Sequence, residues 1–130
     1  MFVAGRKFEY LKERMLGYEE LMKLPVMCLE GNTSTRTYVE QFLASKQVTI
    51  RPEFELATSD MLIQFAVRNL GIASVVRNFA EEHLTEGDLF ELRFLEEIPA
   101  RTFCIVANER IPLSAAAATL MNVLVQGTSQ

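Results

Sequence analysis

One histidine, two cysteines and no cluster of lysine and arginine stand in the 130 residues, and each scarcity removes a class of function. The 13 Lys and Arg are outnumbered by 17 Asp and Glu, which leaves a formal charge of -4. Affinity for DNA or RNA rests on neutralised phosphates, so a chain without a basic patch is not expected to bind nucleic acid by itself. A triad or a metal centre needs His and Cys at converging spacings, and none occurs. His83 stands in Glu81-Glu82-His83-Leu84, where a solvated or helix-terminal role suits it. Glu81 and Glu82, and likewise Glu96 and Glu97, are neighbours in sequence rather than spaced to converge across a substrate, and read as solvated faces. The expectation is therefore no enzyme, no cofactor and no metal. Cys28 and Cys104 each lie in an apolar run, which predicts two buried free thiols rather than a disulfide.

Long hydrophobic runs are missing too. Charged residues interrupt every apolar stretch before the ~18 residues of a membrane span. The start, Met1-Phe2-Val3-Ala4-Gly5-Arg6-Lys7, lacks the ordered basic, apolar and small-residue regions of a secretory signal. A soluble, cytoplasmic protein is the expectation. What the chain does have is 49% apolar and 23% charged residues, a composition that builds one packed domain rather than a disordered segment.

Short apolar or alternating runs at Phe2 to Ala4, Val26 to Leu29, Phe54 to Ala57, Ile72 to Val76, Leu89 to Phe94 and Thr102 to Ala107 predict six strands. Between them, helical period marks Glu19 to Lys23, Thr35 to Lys46, Asp60 to Leu70, Asn78 to Leu84 and Leu113 to Val125. Alternation of strand and helix argues for an α/β domain with a largely parallel sheet, and Ile72-Ala73-Ser74-Val75-Val76 reads as a strand covered on both faces. Gly71, after the second long helix, is a candidate left-handed terminator. The last helix is apolar nearly all round, so it must bury more than one face, against a larger body or another copy of the chain.

Two strand-to-helix turns carry the candidate site. In Glu30-Gly31-Asn32-Thr33-Ser34-Thr35-Arg36, Asn32, Thr33 and Ser34 can cap a helix whose first turn has no acid, and Arg36 adds positive charge beside the positive helix end. This is either a plain N-cap turn or a seat for a carboxylate, sulfate or phosphate. It is no Walker A loop, since the second Gly and the Lys are absent. In Leu56-Ala57-Thr58-Ser59-Asp60 the hydroxyls again cap, but Asp60 answers the dipole itself. Ligands of parallel α/β sheets bind outside the carboxyl ends of strands, where both turns would lie.

Leu24-Pro25-Val26-Met27, Asn32-Thr33-Ser34-Thr35-Arg36, Phe54-Glu55-Leu56-Ala57-Thr58-Ser59, Val67-Arg68-Asn69-Leu70-Gly71-Ile72-Ala73, Gly87-Asp88-Leu89 and Pro112-Leu113-Ser114-Ala115-Ala116 together resemble the effector-binding domain of LysR-type transcriptional regulators. The resemblance runs over nearly the whole chain. It implies one lobe of the type 2 periplasmic-binding-protein fold, the second lobe at about 6–101. Hinge strands at about 1–5 and 102–108 and a C-terminal helix at about 113–125 would complete the partial domain. It further implies a small anionic organic effector held between two lobes, with this lobe contributing Asn32, Thr33, Ser34 and Thr58, and DNA contact only through a domain these residues do not include. Homo-oligomerisation is expected through the crossing strands or the final helix. A lobe of a transport solute-binding protein is the alternative with the same fold.

Overall fold

The computed structural model describes residues 1–102 and 104–127. Two compact units divide the chain, one over residues 1–98 and one from Pro99 onward. The first unit is built on a five-stranded sheet. Its strands are β1 (Phe2–Ala4), β3 (Val26–Leu29), β4 (Phe54–Leu56), β5 (Ile72–Ser74) and β6 (Phe90–Glu91), in the order β4-β3-β5-β1-β6. β3 is parallel to both β4 and β5, whereas β1 runs antiparallel to β5 and β6. A smaller parallel pair joins β2 (Met15–Leu16) to β7 (Arg93–Phe94).

Strand side chains alternate between faces, and the alternation makes two cores from one sheet. Phe2 and Ala4, Val26 and Cys28, and Ile72 face one core, shared with Val39 and Leu43 of α1 (Ser34–Ser45). Two short 3-10 segments, Arg6–Leu11 and Tyr18–Lys23, close that side with Phe8, Leu11, Tyr18 and Leu21. The opposite face carries Val3, Met27 and Ala73, covered by Leu62, Ile63 and Ala66 of α2 (Ser59–Val67) and Ala80 of α3 (Arg77–Glu86). Tyr18 stacks on Phe94 at 4.4 Å between centroids and donates its hydroxyl to the Glu96 carbonyl at 2.7 Å, tying the small sheet to the first core.

Several expected elements shift. The single strand expected over Leu89 to Phe94 is broken at Leu92, whose N–H still donates to the Phe2 carbonyl while Leu95 N–H donates to Leu16. The chain leaves one sheet there and joins the other. The strand expected through Val76 stops at Ser74, because Val76 serves as the N-cap of α3. Gly71 is not the left-handed residue after α2. Asn69 takes that conformation, at φ 62°, and fixes it by accepting the Lys7 N–H on its Oδ1 at 2.8 Å. Gly71 is needed for a different reason: a Cβ there would lie 2.5 Å from the Pro25 carbonyl oxygen.

The second unit contains α4 (Ala115–Gly127), begun by Ser114, whose Oγ accepts the Ala117 N–H at 3.2 Å. Among the described residues of the run Thr102 to Ala107 no strand forms, and Phe103 lies outside the described residues. A strand exists only by pairing, and the described residues of that run have no ladder partner among the described strands. Cys104, expected buried, is exposed, whereas Cys28 is buried as expected. No helix among the described residues is long and apolar enough to cross a membrane.

Candidate ligand site at the strand carboxyl ends

The two hydroxyl-bearing turns are brought together by strand register. β3 and β4 are neighbours, with Leu29 opposite Leu56, so their carboxyl ends finish side by side. Glu30 N–H donates to the Leu56 carbonyl at 3.1 Å, which stitches the first turn to the last residue before the second. α1 and α2 therefore both start on the same edge of the sheet.

Thr33 is the N-cap of α1, in extended geometry, and its Oγ1 accepts the Arg36 N–H at 3.3 Å while donating to the Glu30 carbonyl at 3.0 Å. Its hydroxyl is thus largely committed to the turn. Asn32 and Ser34, on either side, are exposed. The first turn of α1 contains no acid, so its positive end is not answered by a carboxylate from within that turn. Thr58 is the N-cap of α2, and its Oγ1 accepts the Met61 N–H at 3.3 Å. That bond uses one lone pair and leaves the hydroxyl proton able to donate. Asp60 lies in the first turn of α2 and answers that dipole, as the sequence indicates.

Arg36 departs from its expected role. Its side chain is buried, at 8% exposure, and points back under the turn instead of toward a ligand. Nη1 donates to the Leu29 carbonyl at 2.8 Å, Nε to Glu40 at 2.6 Å, and Nη2 reaches Glu55 at 3.5 Å. Burial works to lower the guanidinium pKa, but the Glu40 hydrogen bond and the Glu40 and Glu55 charges outweigh it and raise it. The guanidinium is a brace for the carboxyl end of β3. Glu55 was not foreseen as its partner, although strand alternation puts it on the same face as Cys28, opposite it in the ladder.

Two further groups on this edge escaped the sequence reading. Arg77, the first residue of α3, pairs with Glu91 at the end of β6. The same edge holds the turn Val75-Val76, which follows β5 without a side-chain cap. Val at an N-cap position carries none of the hydroxyl chemistry that marks the other two turns. Nearby Cys28 offers no nucleophile: burial pushes its thiol up to about 11, well above neutrality. Hydroxyls, an amide and backbone N–H groups can hold an oxygen-bearing ligand by hydrogen bonds.

A largely parallel α/β sheet with one antiparallel strand, flanked by helices on both faces, is the architecture of type 2 periplasmic-binding-protein-like domains. The chain belongs to the LysR substrate binding domain family, which it matches over residues 1–129. It is 27% identical over 71 residues to the HTH-type transcriptional activator CmpR of Synechocystis sp. (strain ATCC 27184 / PCC 6803 / Kazusa), covering 55% of this chain and 23% of that protein. The regulatory domain of Synechocystis PCC6803 CcmR, solved in complex with 2-PG, superposes with a TM-score of 0.75 at 16% identity, over 99% of this chain and 62% of that one. HinK, a LysR family transcriptional regulator from Pseudomonas aeruginosa, gives 0.66 at 17% identity, over 93% of this chain and 41% of that one. At these identities the structural likeness carries the fold alone. The chain spans less than two thirds of each of these relatives.

Proposed function

We propose that these residues form the second lobe, with hinge and closing helix, of the effector-sensing domain of a transcriptional regulator. The lobe would hold a small anionic organic metabolite through Asn32, Thr33, Ser34 and Thr58 against a first lobe, in the cytoplasm. Closure of two lobes on an effector shifts the geometry of a homo-oligomer, and so of DNA-binding domains outside these residues, by differential affinity for the two states. The segments at about 1–5 and 102–108 act as crossings, and the helix near 113–125 packs outside its own unit. What supports that last assignment is the exposure, within its unit, of Leu120, Val123, Leu124 and Val125.

The observation that carries the reading is the Leu29 to Leu56 register, which puts two hydroxyl caps on one edge of the sheet. Family membership favours regulation over transport as the use of that edge. The test is calorimetry with a panel of small carboxylates on the chain and on a Thr33→Ala, Ser34→Ala, Thr58→Ala variant, with thermal melts to check that the variant folds. Binding heat in the parent and its loss in the folded variant is the expected result. Equal heats from both would remove these residues from the site.

A further inference from the structure

Away from the strand carboxyl ends, the C-terminal end of α3 gathers the one histidine of the chain with two carboxylates. His83, Glu86 and Asp88 each offer a ligand atom, and these three atoms lie within 4.8 Å of one another. Two features of the local fold cause the convergence. His83 and Glu86 are three apart on the last turn of α3, hence on one helix face. Gly87 then takes a left-handed conformation, φ 80°, and Leu89 N–H donates to the His83 carbonyl at 3.1 Å, which turns the chain back and returns Asp88 to the histidine.

We propose that this turn is a binding site for a divalent transition cation of the zinc type. His83 Nδ1 and Asp88 Oδ2 are already 3.2 Å apart. Ligands bonded at about 2.0–2.1 Å around a tetrahedral ion are separated by about 3.3 Å, so this pair spans one edge of such a site without rearrangement. Glu86 is exposed, and its carboxylate already lies within 4.8 Å of the other two ligand atoms. One imidazole and two carboxylates with water in the fourth place suit a borderline cation better than calcium or magnesium, which prefer all-oxygen shells. The negative end of the α3 dipole adds to the attraction. Gly87 and Asp88 also form part of the wall of a cavity of about 310 Å³, whose remaining lining is Arg6, Glu9, Lys12 and Phe90. The hollow leaves Asp88 open to solvent on that side. Arg6 and Lys12 are offset there by Glu9 and Asp88, while Glu86 adds a further negative charge to the ligand set.

A single histidine makes the test direct. In an untagged Cys104→Ser chain, which lacks the exposed thiol, the imidazole NMR signals belong to His83 and are followed during titration with zinc sulfate. The expected result is a shift of those signals that saturates at one equivalent. Glu86→Gln with Asp88→Asn should weaken the apparent affinity about tenfold or more at unchanged circular dichroism. Ring signals unmoved by zinc would overturn the site. So would equal affinity in the double variant, which would mean a lone imidazole contact and adventitious binding only.

Discussion

Replacing Arg36 by Met separates a brace from a ligand anchor. Met keeps much of the buried aliphatic length and removes the guanidinium, which stands at 8% exposure and bonds the Leu29 carbonyl at 2.8 Å. A hydrogen bond from a charged donor contributes about 1.5–3 kcal/mol. The Glu40 and Glu55 carboxylates are 48% and 50% exposed, so solvent screens those two pairs to roughly 0–1 kcal/mol each. The expected cost is about 2–3 kcal/mol, dominated by the orphaned carbonyl at the end of β3. With a urea slope of about 2 kcal/mol per molar, the unfolding midpoint falls by about 1–1.5 M. Arg36→Lys should fall between, because an ammonium cannot reproduce the fork that meets Leu29 and Glu40 together. A midpoint moved by less than about 0.25 M in Arg36→Met, corresponding to about 0.5 kcal/mol, would refute the brace. Lost ligand heat at unchanged stability would restore Arg36 to the role of anion anchor.

Gly71→Ala should destabilise by about 1–3 kcal/mol, because the new methyl meets the Pro25 carbonyl oxygen at 2.5 Å, where β3 and β5 begin to pair. A thermal melt unchanged within about 1 °C would mean that the two strands separate there without cost. Stability should also fall at alkaline pH. Burial raises Cys28 from its ordinary 9.0 to about 11, so between pH 9 and 11 the unfolded chain releases a proton the folded chain retains. Tyr18, raised from 10.0 to about 12 chiefly by burial and further by Glu96 and Glu97, adds the same effect from pH 10 upward. Each group contributes a slope of up to about 1.4 kcal/mol per pH unit inside its window and none below it. Urea midpoints at pH 8.5 and 10.5 check this, and equal values would contradict both burial arguments.

Elements with an amphipathic period or an apolar run of three or more residues were legible in the sequence, and the shortest pairings and the strand break were not. Val39 and Leu43 announce α1, and Leu62, Ile63 and Ala66 announce α2, because each face is written at local spacing. β2 has no such signature. Met15 is exposed and Leu16 buried, two residues too few to show a period, and they become a strand only because Arg93 and Phe94 arrive beside them. The same holds for the break at Leu92, set by a handover between sheets rather than by any breaker residue. Gly71 was legible as a special position, but the reason lies in the carbonyl of Pro25, just before β3 and 46 residues earlier in sequence. In the candidate site, Thr33 and Thr58 were readable because capping chemistry is local. Glu40 is a local i,i+4 partner of Arg36, but the bonds that draw the side chain under the turn, to Leu29 and Glu55, come from two different strands and are not written locally.

Capping and ligand binding are not rival uses of these turns. An N-cap hydroxyl accepts one backbone N–H, and a side chain held by that bond has its remaining donor aimed in a fixed direction. Thr58, held by Met61 N–H, is such a group. If these turns hold the proposed ligand, the ordering cost of the Thr58 hydroxyl is already met by folding. With the Arg36 guanidinium bonded to Leu29 and Glu40, the proposed site would rely on neutral donors and helix ends. Affinity here should follow the shape and oxygen pattern of the effector more than its net charge, and salt should weaken binding only modestly.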